Sequence, residues 1–420
     1  MVAVVVGTIA VAGLHLWSFI ALNTAEKAFE ASSGSQEIGS DSLYSPAQLQ
    51  AAARAASELD WSSEELKSIA RLFILPLDAW TDEDEAIAEL IATRNRNVME
   101  SVVLGLNSEQ PDSVDSGDKT SEERRHFSTV GANLPLLDAA RPLGAEARWA
   151  IRTGKPKQAT DLHAKLRQLA EGLESQTMIT DILIGSHVER ILDRCLLEVV
   201  ASEAYQLADN SQIVSVTDLI PTTDVLGSLR QAVIKDTARR ITTLKNAEND
   251  QKPSLLTTII GTIVKPIAER RIMASILACE VDLIERLEIP FGADPAAATS
   301  PPQRPRWQIF RMLGEMGRSN TLNAIGRCQA TTALRQLLEA AIVMRSSSWP
   351  ENTYPEARPD LPSLTTPDPF SGELLEYRRL TDGRLHLGVA GGPKLLKALR
   401  RPGPRHWLDP VVLEPPTGER

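Results

Sequence analysis

The sequence predicts a mainly α-helical fold: an N-terminal transmembrane helix, a multi-helix soluble body, and a small C-terminal β-hairpin or sheet packed on a long helix. Three observations predict it. Val2 to Leu22 is a 21-residue run without Asp, Glu, Lys or Arg. The chain after it is punctuated by helix-start signals and by apolar residues at three- and four-residue spacing. Only at 367–388, PDPFSGELLEYRRLTDGRLHLG, does a hairpin pattern take over.

Composition bounds the rest. With 420 residues, 42% apolar and 24% charged, the chain suffices for two or three domains with ordinary cores. Aromatics at 4% disfavour an all-β sandwich or a base-stacking surface. The net charge of -10 excludes nucleic acid as an expected partner, because phosphate recognition needs a basic face.

Residues 1–23 read as the anchor, since ~20 apolar residues cross a ~30 Å hydrocarbon core. The bilayer is therefore a partner through residues 2–22, with Trp17 suited to the interfacial belt. A cleaved signal peptide is the alternative, but its apolar core is normally ~7–15 residues after a basic segment, and none precedes this run. His15 is the one ionisable side chain in the span. Just beyond it, Lys27 stands against Glu26, Glu30, Glu37 and Asp41. A flank so poor in basic residues favours a single-pass protein of a bacterial inner membrane with its bulk outside the cytoplasm.

Residues 24–45, rich in Ser, Gly and Glu, read as a flexible tether, and 46–290 as an α-helical body. Ser45-Pro46 with Gln48, and Ser62 with Glu65, are capping boxes. Thr81 followed by DEDE opens a third helix, because carboxylates favour the positive end of the helix dipole. Residues 107–125 read as a mobile acidic loop without calcium-loop spacing. Two helices meet at Gly154-Lys155-Pro156, where Gly ends one and Pro cannot extend it. Further helices are expected near 177–206, 223–247 and 264–288. The apolar run 254–264 is too short to span and reads as a buried helix. Residues 291–307, with four prolines, read as a linker. Residues 308–390 then hold a helix to about 346 plus the hairpin, and 391–420 form a basic, Pro-rich tail from which HWLDPVVLEPP offers one more strand.

The hairpin register follows from its turn. A two-residue Asp382-Gly383 turn scatters the apolar residues over both faces. A three-residue loop, Thr381-Asp382-Gly383 with Gly383 left-handed, pairs Leu375 with Val389 and Tyr377 with Leu387. That gathers Leu375, Tyr377, Leu385, Leu387 and Val389 on one side, and one apolar face fixes a register. Ahead of it, Asp368 and Pro369 sit where a type I turn wants them, with Gly372 closing the turn and Phe370 as a packing anchor.

A single N-terminal membrane helix, a helix running into WPENTYPEARPDLPSLTTPDPFSGELLEYRR, and a hairpin after a Tyr-Pro segment resemble the soluble part of type II secretion pseudopilins. In those proteins an Asp-Pro-aromatic-Gly turn precedes the sheet. AEARWAIRTGKPKQATDLHAKLRQLAEGLES together with DPFSGELLEYRRLTDGRLHLG also resembles a group of uncharacterised membrane-anchored helical proteins of planctomycete and acidobacterial type. The resemblance implies an envelope location and an envelope or secretion protein as partner. Two departures matter: Gly7-Thr8 and an acid-free span replace the prepilin cleavage site and its Glu, and GVAGGPKLLKALRRPGPRHW replaces an acidic, calcium-holding loop.

No chemistry-bearing motif emerges. The sequence holds no Gly-x-Ser-x-Gly elbow, complete phosphate loop or His-Glu-x-x-His, so no catalytic, cofactor-binding or metal residue is assigned. His126, His163, His187, His386 and His406 lack metal-ligand spacing. Cys195 and Cys279 lie on apolar stripes and read as core; Cys328 completes an odd set. Lys394, Lys397, Arg400, Arg401 and Arg405 form a basic cluster suited to anionic headgroups or an acidic partner. Two functions remain: an envelope-anchored structural or interaction protein, with a pseudopilin-related secretion component as one form of it, or an exported hydrolase-like enzyme whose site is assembled from distant residues.

Overall fold

The computed structural model describes residues 2–33, 44–59, 62–107 (without 76), 133–201 (without 177), 220–246 (without 221), 265–293, 318–399 (without 348) and 408–415. The fold is mainly helical with one small antiparallel sheet. The helices are α1 Val2–Ser33, α2 Pro46–Ala56, α3 Ser63–Ile74, α4 Asp82–Leu106, α5 Leu134–Arg152, α6 Pro156–Glu174, α7 Ile179–Ala201, α8 Val225–Asn246, α9 Lys265–Leu287, α10 Arg318–Ser346, α11 Pro362–Thr365 and α12 Gly392–Ala398. The strands are β1 Glu376–Arg379, β2 Leu385–Gly388 and β3 Val411–Leu413, in the order β1-β2-β3. Among the described residues no helix is long and apolar enough to cross a membrane.

Two compact units divide the chain: residues 1–39, 229–289 and 294–325, and residues 40–228, 290–293 and 326–420. In the first, α1 packs along α9. The stretch read as a tether is helical as far as Ser33. Its Ala25, Glu26, Lys27, Ala28, Glu30 and Ala31 are good helix formers and outweigh Ser32 and Ser33.

The second unit starts as the caps dictate. Ser45/Gln48, Ser62/Glu65 and Thr81/Asp84 each form a reciprocal capping box. Tyr44, placed in the tether by the sequence, lies against Gly172, and its carbonyl accepts from Gln176 Nε2 at 3.2 Å. α2 crosses α4 where Gly105 meets Ala52 so closely that a Cβ on Gly105 would stand 2.7 Å from the Ala52 nitrogen. Helix α5 ends in a Schellman motif: Lys155 N–H donates to Ala150 O at 2.8 Å and Gly154 N–H to Ile151 O at 3.1 Å, with Gly154 at φ +67°. Pro156 then opens α6, as expected.

Arg148 of α5 locks these helices together. It is 1% exposed. Its Nε and Nη2 donate to the two Glu198 carboxylate oxygens at 2.6 and 2.8 Å, and Nη2 also reaches Leu75 O at 2.6 Å. Nη1 donates to Leu72 O, and the guanidinium lies 5.2 Å from the Trp80 ring centroid. One turn on, Arg152 donates to Leu77 O at 2.6 Å and Trp80 O at 3.0 Å. Two arginines of α5 thus donate to carbonyls at the end of α3 and around the 3₁₀ turn Leu77–Ala79.

The hairpin has the expected register: Tyr377 pairs with Leu387 and Glu376 with Gly388. Leu380 N–H donates to Arg384 O at 2.7 Å, closing the Thr381-Asp382-Gly383 loop with Gly383 at φ +85°. Leu375, Leu385, Leu387 and Val389 are buried, with Tyr377 half-buried and Glu376 and Arg378 exposed. β3 pairs with β2, so part of the expected tail belongs to the sheet, and Gly392–Ala398 is helical. β3 packs against α7, and just ahead of the strand Arg194 Nη1 donates to Asp409 O at 3.3 Å. At the end of α10, Arg345 Nη1 donates to Glu414 O at 3.1 Å; beyond it, Tyr354 Oη does so at 2.8 Å. The long helix therefore holds the C-terminal strand by its end.

Phe291–Ala293, read as the start of a linker, is a 3₁₀ turn with Phe291 buried. Phe291 stacks on Phe370 with centroids 5.3 Å apart, and Gly292 N–H donates to Phe370 O at 2.7 Å. The remainder of that linker, residues 308–317, the loop 108–125 and the run 254–264 lie outside the described residues.

Arg148→Met leaves Glu198 and two carbonyls without their buried donor. Urea unfolding is expected to show a loss of about 3–5 kcal/mol, with Glu198→Leu recovering part of it in the double variant. A single-variant loss under about 1 kcal/mol would remove Arg148 as the lock.

Candidate functional site

A cluster of buried ionisable side chains lies where α6, α7 and α10 meet. Glu174 ends α6, Glu189 and Asp193 stand one turn apart on α7, and Arg335 comes from α10. All three carboxylates are 0% exposed. Gly185 permits this approach, because a Cβ there would meet Glu174 Cγ at 2.7 Å and Ala170 O at 3.0 Å. Arg335 Nη2 pairs with Glu189 Oε1, and its Nη1 donates to Thr223 O at 2.7 Å. Thr223 Oγ1 in turn donates to Glu174 Oε2. Next to it, Glu171 accepts from Thr222 N at 3.2 Å, so the end of α6 holds the segment leading into α8.

Three carboxylates face one guanidinium. Glu174 Oε1, Glu189 Oε2 and both Asp193 oxygens find no donor, yet Glu189 is within hydrogen-bonding reach of both other carboxyl groups. Two protons resolve both problems. Placed on Glu174 and Asp193, they turn those groups into donors and leave one carboxylate for Arg335. Burial first, and then the Glu189 charge, hold Glu174 and Asp193 well above the usual carboxylate range. The cluster can store protons and fix helix packing; acid–base work on a substrate would need access that these buried groups lack.

The sequence-assigned residues fall elsewhere. Asp368, Pro369 and Gly372 lie in one turn, closed by Gly372 N–H donating to Asp368 O at 2.9 Å: Asp368 Oδ1 accepts from Phe370 N at 2.9 Å and Ser371 N at 2.7 Å, and Gly372 has φ +78°. Asp382 and Gly383 sit in the hairpin loop, where Asp382 Oδ2 accepts from Arg384 Nε at 2.7 Å. Lys394 and Lys397 are exposed on α12, while Arg400, Arg401 and Arg405 lie outside the described residues. Cys195 and Cys328 are buried free thiols, pushed up to about 12 by burial, as suits core residues. His163 is buried with Nε2 unpaired, and burial lowers it to about 4. No metal-competent group of three or more ligands occurs among the described residues.

The carboxylate cluster was missed in sequence because nothing selects three acids from 55. One signal was present. Glu189 and Asp193 are like charges at i,i+4 within ILIGSHVERILDRCLL, a pairing that an exposed helix avoids. Comparison with family models, curated proteins and solved structures finds no match to this chain.

Glu174 and Asp193 bind protons more tightly folded than unfolded, so their contribution is complete below about pH 4 and is lost as pH rises through the raised folded values. His163 has the opposite sign, and its contribution disappears as pH falls from 6.5 to about 4. Urea unfolding at several pH values should show Glu174→Gln/Asp193→Asn gaining on the wild type as pH rises, by up to about 1.4 kcal/mol per pH unit per proton. An unchanged gap across pH would mean that the cluster is ionised in the fold.

Proposed function

We propose that the chain is a membrane-anchored, envelope-facing helical protein with a structural or protein-interaction role, its helical body presented outside the cytoplasm of a bacterial cell. The observation that carries this reading is α1. Leu14, Leu16, Trp17, Phe19 and Ile20 are 48–62% exposed, pointing to several sides of one helix. They continue an apolar, acid-free run that begins at Val2. In water such a surface would aggregate; a bilayer covers it.

The interaction role rests on how the second unit uses its charges. Glu174, Glu189 and Asp193 are closed inside, and the arginines of α5 are spent on carbonyls and carboxylates. What faces outward around the sheet includes Lys394 and Lys397, a base for an acidic envelope or secretion partner. The enzyme reading requires the buried carboxylates to meet a substrate. A pseudopilin-related role rests on the Asp368 turn and the hairpin after it.

Membrane fractionation with alkaline extraction should keep the chain in the pellet, and affinity purification from solubilised membranes with mass spectrometry should recover envelope proteins. Release into the soluble fraction, or recovery of no protein partner together with a small molecule bound to the body, would sink the proposal.

A further inference from the structure

Helices α1 and α9 run parallel, and their contacts set a common level along both. Arg270 Nη1 approaches His15 Nδ1 at 3.5 Å, and the Arg271 guanidinium lies over the Trp17 ring. At the other end, Arg230 donates to Ser32 O at 2.7 Å and pairs with Glu288 at 3.5 Å. Position 270 thus stands beside 15, and position 288 beside 32.

This register conflicts with a hydrocarbon span running the whole way from Val2 to Leu22. Two arginines alongside residues 15–17 would then sit inside the hydrocarbon, at a cost of about 2.5–3.5 kcal/mol each at the centre of a bilayer. The charge along α9 gives the alternative. Its first seven residues, KPIAERR, carry three basic residues against Glu269, whereas Glu280, Asp282, Glu285 and Glu288 follow toward the far end against Arg286 alone, which pairs with Asp282 at 3.3 Å. Those acids begin about 14 Å beyond Arg271, more than a Debye length at physiological salt. A basic band beside a Trp, with apolar residues on one side and acids on the other, is the charge order that an anionic surface selects.

We propose that Trp17, Arg270 and Arg271 form a headgroup belt that binds the phosphates of anionic glycerolipids and fixes where α1 leaves the hydrocarbon, at His15–Trp17 and not at Leu22. Leu14 then marks the edge of the hydrocarbon, and because Val2–Leu14 reaches only about 20 Å the bilayer thins around α1 while the two arginines snorkel to the headgroups. Phe19 and Ile20 lie in the interface, and Asn23 meets water. This inference rests on the membrane reading and goes beyond it by naming the lipid class and the depth.

The test uses the full chain in vesicles of phosphatidylcholine containing about one third phosphatidylglycerol, with Cys279→Ser and a nitroxide at Leu16→Cys or Ile20→Cys. Electron paramagnetic resonance depth measurements should place the label at 16 near the hydrocarbon edge and the label at 20 at or outside the phosphates. Spin-labelled phosphatidylglycerol should associate with the chain at least about fivefold better than spin-labelled phosphatidylcholine. Arg270→Gln/Arg271→Gln should abolish that preference and let the label at 20 sink by about one helical turn, ~5 Å. The wild-type measurements stand even if the double variant misfolds. A label at 20 lying deep in the hydrocarbon, or no lipid preference in the wild type, overturns the belt while leaving the anchor intact. A chain absent from the vesicles overturns both.

Discussion

Burying Arg148 is the constraint around which the second unit is organised. A guanidinium taken out of water must satisfy its five donors, and a carboxylate alone offers too few acceptors in the right plane. The chain supplies the rest from backbone: Leu72 and Leu75, the last carbonyls of α3, complete the fork begun by Glu198. The end of α3, the Trp80 ring, α5 and α7 are therefore fixed by one side chain. A lysine, with three donors at one point, could not reproduce this geometry.

The carboxylate cluster on α6, α7 and α10 solves the opposite problem. Arg148 is a cation surrounded by acceptors; Glu174, Glu189 and Asp193 are acceptors short of donors. Protons make up the deficit, so hydrogen bonding in this part of the core depends on the solvent in a way that the Arg148 fork does not. Both are specificity devices. They require particular partners, whereas the alanines and leucines around them tolerate repacking.

Features set by neighbours in sequence were legible, and features set by distant partners were not. The register of the hairpin followed from Asp382-Gly383 and the alternation of Leu385, Leu387 and Val389, because a left-handed glycine and one apolar face leave a single solution. The capping boxes and the Gly154 stop are equally local. Arg148, in contrast, finds its partners 50, 73 and 76 residues away, and nothing in AEARWAIR distinguishes it from Arg152. Phe291 was hidden by the prolines that follow it, although an aromatic residue is scarce enough in this chain to mark a packing site. The arginines beside His15 and Trp17 were hidden in the same way, since they come from α9.

The pairing of Glu189 with Arg335 also bears on how the chain emerges from the ribosome. The two residues are separated by 146 positions. At ~5–20 residues per second, α7 is synthesised roughly 7–30 s before the guanidinium that neutralises it. During that interval Glu189 lacks the guanidinium it pairs with in the finished fold, which opposes closing α7 onto α6 in its final form. The Glu189 corner of the core reaches its final packing only once α10 appears. A chaperone or an adjacent membrane surface would find its longest opportunity in that window.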